Sequence, residues 1–241
     1  MSSYIFVLMV GLLAGAISGV IGTGSSIMLL PVLVYTFGPK QAVPIMAVAA
    51  VMANLSRVMA WWKQVDWRAF AAYSITGVPA AAIGARTLLA LPPHLIETCL
   101  GIFFILMIPA RRWLVARDYK IKLWQLSIIG GMIGFLTGLV LSTGPLSVPA
   151  FTAYGLVKGA FLSTEAASSL MLYVAKVITF REFGAMPLDI FIKGLLVGAS
   201  LMAGTFIGKA VVLKLSNQAF QHLLDALLLC SGISLLWAAF S

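Results

Sequence analysis

Long apolar runs alternate with short polar connections along this chain. The first run, Met1 to Pro39, contains no Asp, Glu, Lys, Arg or His. An unbroken helix of that length would span ~58 Å, against ~30 Å for the hydrocarbon core of a bilayer. The run therefore breaks, and Gly22, Gly24 and Pro31 are the places for it. The pattern predicts an apolar segment over about Tyr4–Ile21, a break over Gly22–Ser26, and a piece from Ile27 to Phe37 that is too short to cross. A turn at Gly38-Pro39-Lys40 follows. Full-length segments come next over Ala42–Trp62 and Ala69–Leu91, separated by a polar loop, Lys63–Arg68, with Trp61, Trp62 and Trp67 around it as an interfacial aromatic belt. Pro92-Pro93-His94 reads as a loop, and Leu95–Pro109 as the last segment of the first half.

A basic stretch, Arg111–Lys122, carries five Arg and Lys against one Asp and divides the chain. Beyond it the pattern recurs. Leu123–Val157 is a second uncharged run too long for one straight crossing, and segments follow over Gly159–Phe180, Pro187–Leu213 and Gln218–Phe240. The halves correspond at an offset of 118 to 119 residues: Gly22–Pro31 falls on Val140–Pro149, Gly15 and Gly19 on Gly134 and Gly138, and Arg57 on Lys176. The expected architecture is an all-α polytopic membrane protein of two homologous repeats. Each repeat has a broken, re-entrant helical segment plus three transmembrane helices. The parts are residues 1–114, a basic cytoplasmic linker over 115–122, and residues 123–241. If the broken segments return to the side they entered, the repeats are inverted. Lys63, Arg68, Lys158, Lys209 and Lys214 then lie on the side of the linker, with Lys40, Arg86 and Arg181 opposite. If they cross fully, the repeats are parallel. The positive-inside rule favours the inverted arrangement.

Composition supports the membrane reading. The chain has 241 residues, 61% hydrophobic and 10% charged, whereas soluble domains carry about 25% charged residues. The net charge of +9 sits mostly in short connections, so it marks topology and not a nucleic-acid partner. Cys99 and Cys230 each lie in an apolar run, without the spacing of a disulfide framework or metal site. No basic n-region precedes the first segment, which is expected to be retained. No cofactor, metal or catalytic residue is expected. The two histidines sit near segment ends and there is no HExxH, which argues against an intramembrane hydrolase. No GxxxxGK[ST] motif is present to power transport by ATP.

The candidate chemistry lies at the breaks. Helix N-termini beside a break offer backbone N–H groups, and Ser and Thr add hydroxyl donors, so the breaks suit an anion. The candidate ligands are Thr23, Gly24, Ser25 and Ser26 from the first half and Ser142, Thr143 and Gly144 from the second. The competing reading is that these small residues only let helices approach. Arg57 and Lys176 are either a cationic pair that draws the anion in or side chains that snorkel to the interface. Asn54, with Ser168, Ser169 and Tyr173, either lines the cavity or bonds between helices. Glu165 is the candidate proton carrier; the alternative is a pairing with Lys158 or a hydroxyl at the helix entrance.

These motifs resemble the sulfite exporter TauE/SafE family of membrane anion carriers. The resemblance rests on Gly11-Leu-Leu-Ala-Gly15 leading into Gly22-Thr-Gly-Ser-Ser and Pro31, on Val65-Asp66-Trp67-Arg68 before a small-residue helix with Gly84-Ala85-Arg86, and on Thr164–Lys176 and Gly194–Lys209. It implies a secondary transporter in the bacterial inner membrane that exports sulfite or organosulfonates by alternating access, coupled to the proton gradient. The family usually shows glycine triplets at the breaks; Ser25 and Ser26, and Ser142, Thr143 and Gly144, leave more hydroxyls here. The expected partners are a small anionic substrate and the lipid bilayer, and a homodimer is admissible. An anion channel, or a carrier for another small organic anion, is the alternative.

Overall fold

A computed structural model describes residues 2–21, 25–116, 120–140 and 144–211, with 225–226, 229–230, 232–233 and 236–237 near the end. The candidate residues Thr23, Gly24, Ser142 and Thr143 lie outside the described residues. Among those described, the ordered elements are helical: α1 Ser2–Ile21, α2 Ser25–Phe37, α3 Pro39–Trp61, α4 Trp67–Ala90, α5 Pro93–Ala116, α6 Leu123–Val140, α7 Gly144–Tyr154, α8 Lys158–Glu182 and α9 Leu188–Val211, with one 3₁₀ turn at Trp62–Gln64. Three stretches are long and apolar enough to cross a membrane: Lys40–Met59, Gly159–Glu182 and Leu188–Ile207. Shorter apolar helices cover Tyr4–Ser18, Ser25–Phe37, His94–Ala110 and Leu123–Leu139.

Three boundaries differ from the sequence expectation. Pro39 and Lys40 do not form a turn with Gly38 but open α3. Gly38 alone breaks the chain, at φ 75°, and Pro39 suits the first helical position, where its missing N–H has no partner to lose. Ser25, Ser26 and Pro31 all belong to α2, so Pro31 does not break the run, while Gly22 and Gly24 lie outside the described residues. Helix α5 takes in His94, passes Pro109 and runs through Arg111 and Arg112 to Ala116. Arg and Leu are good helix formers, and Arg112 is held there by Asp225, with an N···O distance of 2.5 Å.

Two layers of packing position the interior. Helix α1 lies along α9, α6 along α4, and α3 and α8 cross between them. The α4–α6 approach is glycine-limited: a methyl group on Gly134 would overlap Gly77 O, and one on Gly138 would overlap Ala81 O. The α1–α9 approach is built the same way, with Gly15 against Leu201 O and Gly204 against Leu12 O. Small residues bring helix backbones together where hydrophobic burial cannot drive association.

The ends of the bundle are fixed by a few contacts. The α3–α4 connection meets the start of α8, where Asp66 N–H donates to Thr164 Oγ1 at 2.9 Å. Asp66 also caps α4, accepting from the N–H groups of Arg68 and Ala69. The opposite end carries the α4–α5 and α8–α9 connections, with Gly184 at φ 73°. The Tyr4 and Phe37 rings lie 5.4 Å apart, so α1 starts and α2 finishes at the Gly184 end. Ile121 N–H donates to Ala153 O at 3.0 Å, so α6 starts and α7 finishes together, at the Asp66 end.

Candidate functional site

Where α3 and α8 cross, the interior is polar. Arg57 (7% exposed) and Glu165 (2%) are buried and form an ion pair, Arg57 Nη1 to Glu165 Oε2 at 3.2 Å. The Arg57 guanidinium also donates to Asn54 Oδ1, one turn back on α3. Asn54 in turn donates to Ala50 O at 2.8 Å. The other carboxylate oxygen of Glu165 accepts from Ser147 Oγ at 3.0 Å and from Ser169 Oγ at 2.9 Å. Ser147 stands on the first turn of α7, just beyond the second break, and Ser169 one turn along α8. Three donors from three helices thus converge on one carboxylate.

Such a pair needs its lone pairs and N–H groups satisfied, because an uncompensated charge away from water costs several kcal/mol. Here the carboxylate has a cation and two hydroxyl donors, and the guanidinium has Glu165 and Asn54. Around this core lie further buried hydroxyls. Tyr173 on α8 hydrogen-bonds with Ser26 on the first turn of α2, and it lies within electrostatic reach of both Glu165 and Arg57. Tyr73 on α4 lies within reach of Glu165 and Tyr173, its ring 4.9 Å from that of Phe151. Among the described residues, the Tyr73 hydroxyl and the Ser168 hydroxyl have no hydrogen-bond partner.

Lys176, the counterpart of Arg57 in the sequence, is placed elsewhere. It lies three turns further along α8 and is fully buried. Its ammonium donates to Thr137 O on α6 at 2.9 Å and stands 5.4 Å from the centre of the Phe180 ring. No carboxylate among the described residues pairs with it. A cavity of about 370 Å³ opens at the Gly184 end, lined by Lys40, Pro44, Leu88, Phe180, Phe183 and Pro187 among others. Phe180 is thus both a cavity wall and the ring beneath Lys176.

The structure gathers Ser26, Asn54, Arg57 and Glu165 around the α3–α8 crossing. Ser25 and Gly144 open the half-length helices α2 and α7. Neither Arg57 nor Lys176 reaches the bundle surface as a snorkelling side chain would. Glu165 pairs across the bundle with Arg57 and not along its own helix entrance. Sequence reasoning passed over Ser147 and Tyr73. Ser147 carried a signal, since it lies inside the second copy of the interrupted motif; Tyr73, in a segment read as small-residue packing, carried none. His94 is exposed in the first turn of α5, and Asp225 pairs with Arg112. Among the described residues no group of three or more His, Cys, Asp and Glu could hold a metal ion.

A curated relative, the probable membrane transporter protein YjnA of Bacillus subtilis (strain 168), is 23% identical over 253 residues, covering 95% of this chain and 98% of its own. No solved structure matches the chain. The family model described as sulfite exporter TauE/SafE matches residues 7–235. With that match running almost end to end over an all-helical, largely apolar bundle with a charged interior, the chain belongs to the sulfite exporter TauE/SafE family of membrane transporters.

Proposed function

We propose that this protein is a secondary transporter that exports small sulfur-containing anions, sulfite or organosulfonates, across the bacterial inner membrane by alternating access coupled to the proton gradient. The observation that carries this reading is the buried cluster at the α3–α8 crossing. It holds a cation, an acid and several hydroxyls inside an apolar bundle, where ionisable groups mark ion and proton pathways. The first turns of α2 and α7 reach the same interior through Ser26 and Ser147. Half-helix N-termini there supply donors to an oxyanion without bringing a further full charge.

The packing supports two inverted repeats. Helix α1 with α2 opens toward the Gly184 end, and α6 with α7 toward the Asp66 end. Helix α1 takes α9 as partner where α6 takes α4. This is the pairing that a two-fold axis in the membrane plane generates, and such an axis places the substrate between the repeats. The cavity beside Phe180 offers an approach from the Gly184 end, with Lys40 on its lining and Lys176 behind it. Lipid surrounds the bundle, and a homodimer is compatible with its exposed apolar faces.

Thermal shift of the purified protein against sulfite, sulfate, thiosulfate, taurine, sulfoacetate and a carboxylate control tests the reading. A ligand at 100 times its Kd stabilises the folded state by about 2.7 kcal/mol. Stabilisation by a sulfur anion, reduced in Ser25→Ala/Ser142→Ala, is the expected result. Stabilisation that survives the double substitution moves the site away from the breaks, and no response to any sulfur anion removes the assigned cargo.

A further inference from the structure

Resting on the transport reading above, we infer that the Glu165 carboxylate occupies the substrate's own oxyanion site, so that an incoming anion displaces it from Arg57 and binds with one proton, which Glu165 takes up. The observation is the shape of the carboxylate's surroundings. Arg57 Nη1, Ser147 Oγ and Ser169 Oγ all donate to it, at 3.2, 3.0 and 2.9 Å. A guanidinium with several converging hydroxyls is the donor set that an oxyanion head group requires. Two more donors stand by unused. Ser168, 0% exposed and one turn from Glu165, and Tyr73, 1% exposed and within electrostatic reach of it, have hydroxyls with no partner among the described residues. A carboxylate has two oxygens, whereas a sulfonate or sulfite has three. The surplus hydroxyls match a ligand with more acceptors than the side chain now in place.

The proton follows from charge. Arg57 is the cation paired at the crossing. The other groups facing Glu165 are Tyr73 from α4 and Tyr173 from α8 itself; α7 contributes Ser147, and α6 carries no ionisable side chain. Lys63, in the turn beside the α8 start, is exposed. Two anions on one buried guanidinium would repel at low dielectric. Neutralising Glu165 removes that repulsion, and a protonated carboxyl can then donate to Ser147 or Ser169. One proton leaves the aqueous phase and ends on the Glu165 carboxylate for each anion that binds. Proton and anion then travel the same way. For a monoanion the cycle is electroneutral, and export runs when the internal anion gradient exceeds the opposing pH difference.

Isothermal calorimetry of the full-length protein with methanesulfonate and sulfite, in two buffers of different ionisation enthalpy, counts the protons without any substitution. About one proton taken up per anion bound is expected, and none overturns the inference. Glu165→Gln vacates the competitor while keeping the hydrogen-bonding shape. It should tighten methanesulfonate binding on the order of tenfold and abolish proton uptake, because the binding-competent state no longer competes with an internal occupant. Binding that is unchanged or weaker, with uptake retained, overturns it. Tyr73→Phe and Ser168→Ala each delete a buried hydroxyl that has no partner, which a purely structural role would register as neutral or stabilising. Here each should weaken binding about tenfold, the worth of one hydrogen bond to a charged group, with thermal stability unchanged or raised. Unchanged binding in both removes them from the site. If the wild type binds none of these anions, this inference and the transport reading fall together. If it binds them without proton uptake and Glu165→Gln binds no tighter, only the displacement fails.

Discussion

Arg57 and Lys176 stand 119 residues apart in matching places of matching helices, yet the bundle treats them differently. Arg57 has a carboxylate, an amide and a neighbourhood of hydroxyls; Lys176 has one backbone carbonyl and the face of a phenylalanine. The same offset explains the asymmetry. Counting back from Glu165 lands on Met46, a fully buried residue of α3. One half thus supplies an acid for the other half's cation, and the favour is not returned. The two cations share a sequence offset, but a single residue decides which of them pairs with a carboxylate among the described residues.

The largest effect expected from breaking this comparison is at Arg57. Arg57→Ala leaves Glu165 buried without a counter-charge, which costs on the order of 3–5 kcal/mol. Denaturation in detergent should show that loss, with Arg57→Ala/Glu165→Gln recovering much of it. A single variant no less stable than the wild type would show that the pair is not buried as described. The helix approaches come next. Gly134→Val places a side chain against the Gly77 backbone, where overpacking costs about 1–3 kcal/mol. Gly131→Ala, with only ordinary contacts to Thr76, should be nearly silent in the same melt. Equal losses at both would mean that α4 and α6 are not glycine-limited at Gly134.

Sharper but smaller is the restoration of symmetry. Met46→Glu should be tolerated better with Lys176 present than in a Lys176→Met background. A double-mutant cycle should give a coupling of about 0.5–3 kcal/mol, and zero coupling would detach position 46 from Lys176. Smallest is Lys176→Met alone. It removes a charge that no described carboxylate compensates and keeps the stem's volume, so stability should hold or rise slightly. Substrate uptake should fall nonetheless if the cavity beside Phe180 is on the path. Full uptake in Lys176→Met would confine function to the Arg57 side.

Part of the scaffold was legible in the sequence, because charge-free runs longer than a bilayer is thick must break, but proline did not mark where: Pro31 and Pro149 lie inside α2 and α7. The α2 and α7 half-helices follow from that argument alone. Helix ends were less legible. Arg111 and Arg112 read as lying beyond a segment that ends at Pro109, but Arg is a good helix former, and α5 continues through them. The candidate site was visible as residue types and not as pairs. Arg57 and Glu165 are 108 residues apart, and no spacing rule joins positions on different helices that meet only after folding. Ser147 lay within the recognised motif, yet only the contact of α7 with α8 shows that it donates to Glu165. Tyr73 is beyond sequence reasoning altogether, because its role depends on which helix packs beside α8.

The most direct test places the purified protein in liposomes that enclose a pH-sensitive dye and applies an inward gradient of methanesulfonate, a strong-acid anion that carries no proton across the lipid by itself. Saturable uptake accompanied by acidification of the lumen is the predicted result for the wild type, with acidification lost in Glu165→Gln. Uptake that leaves the lumen pH unchanged in the wild type, or no uptake at all, would contradict a buried anion site that moves its substrate together with the Glu165 proton.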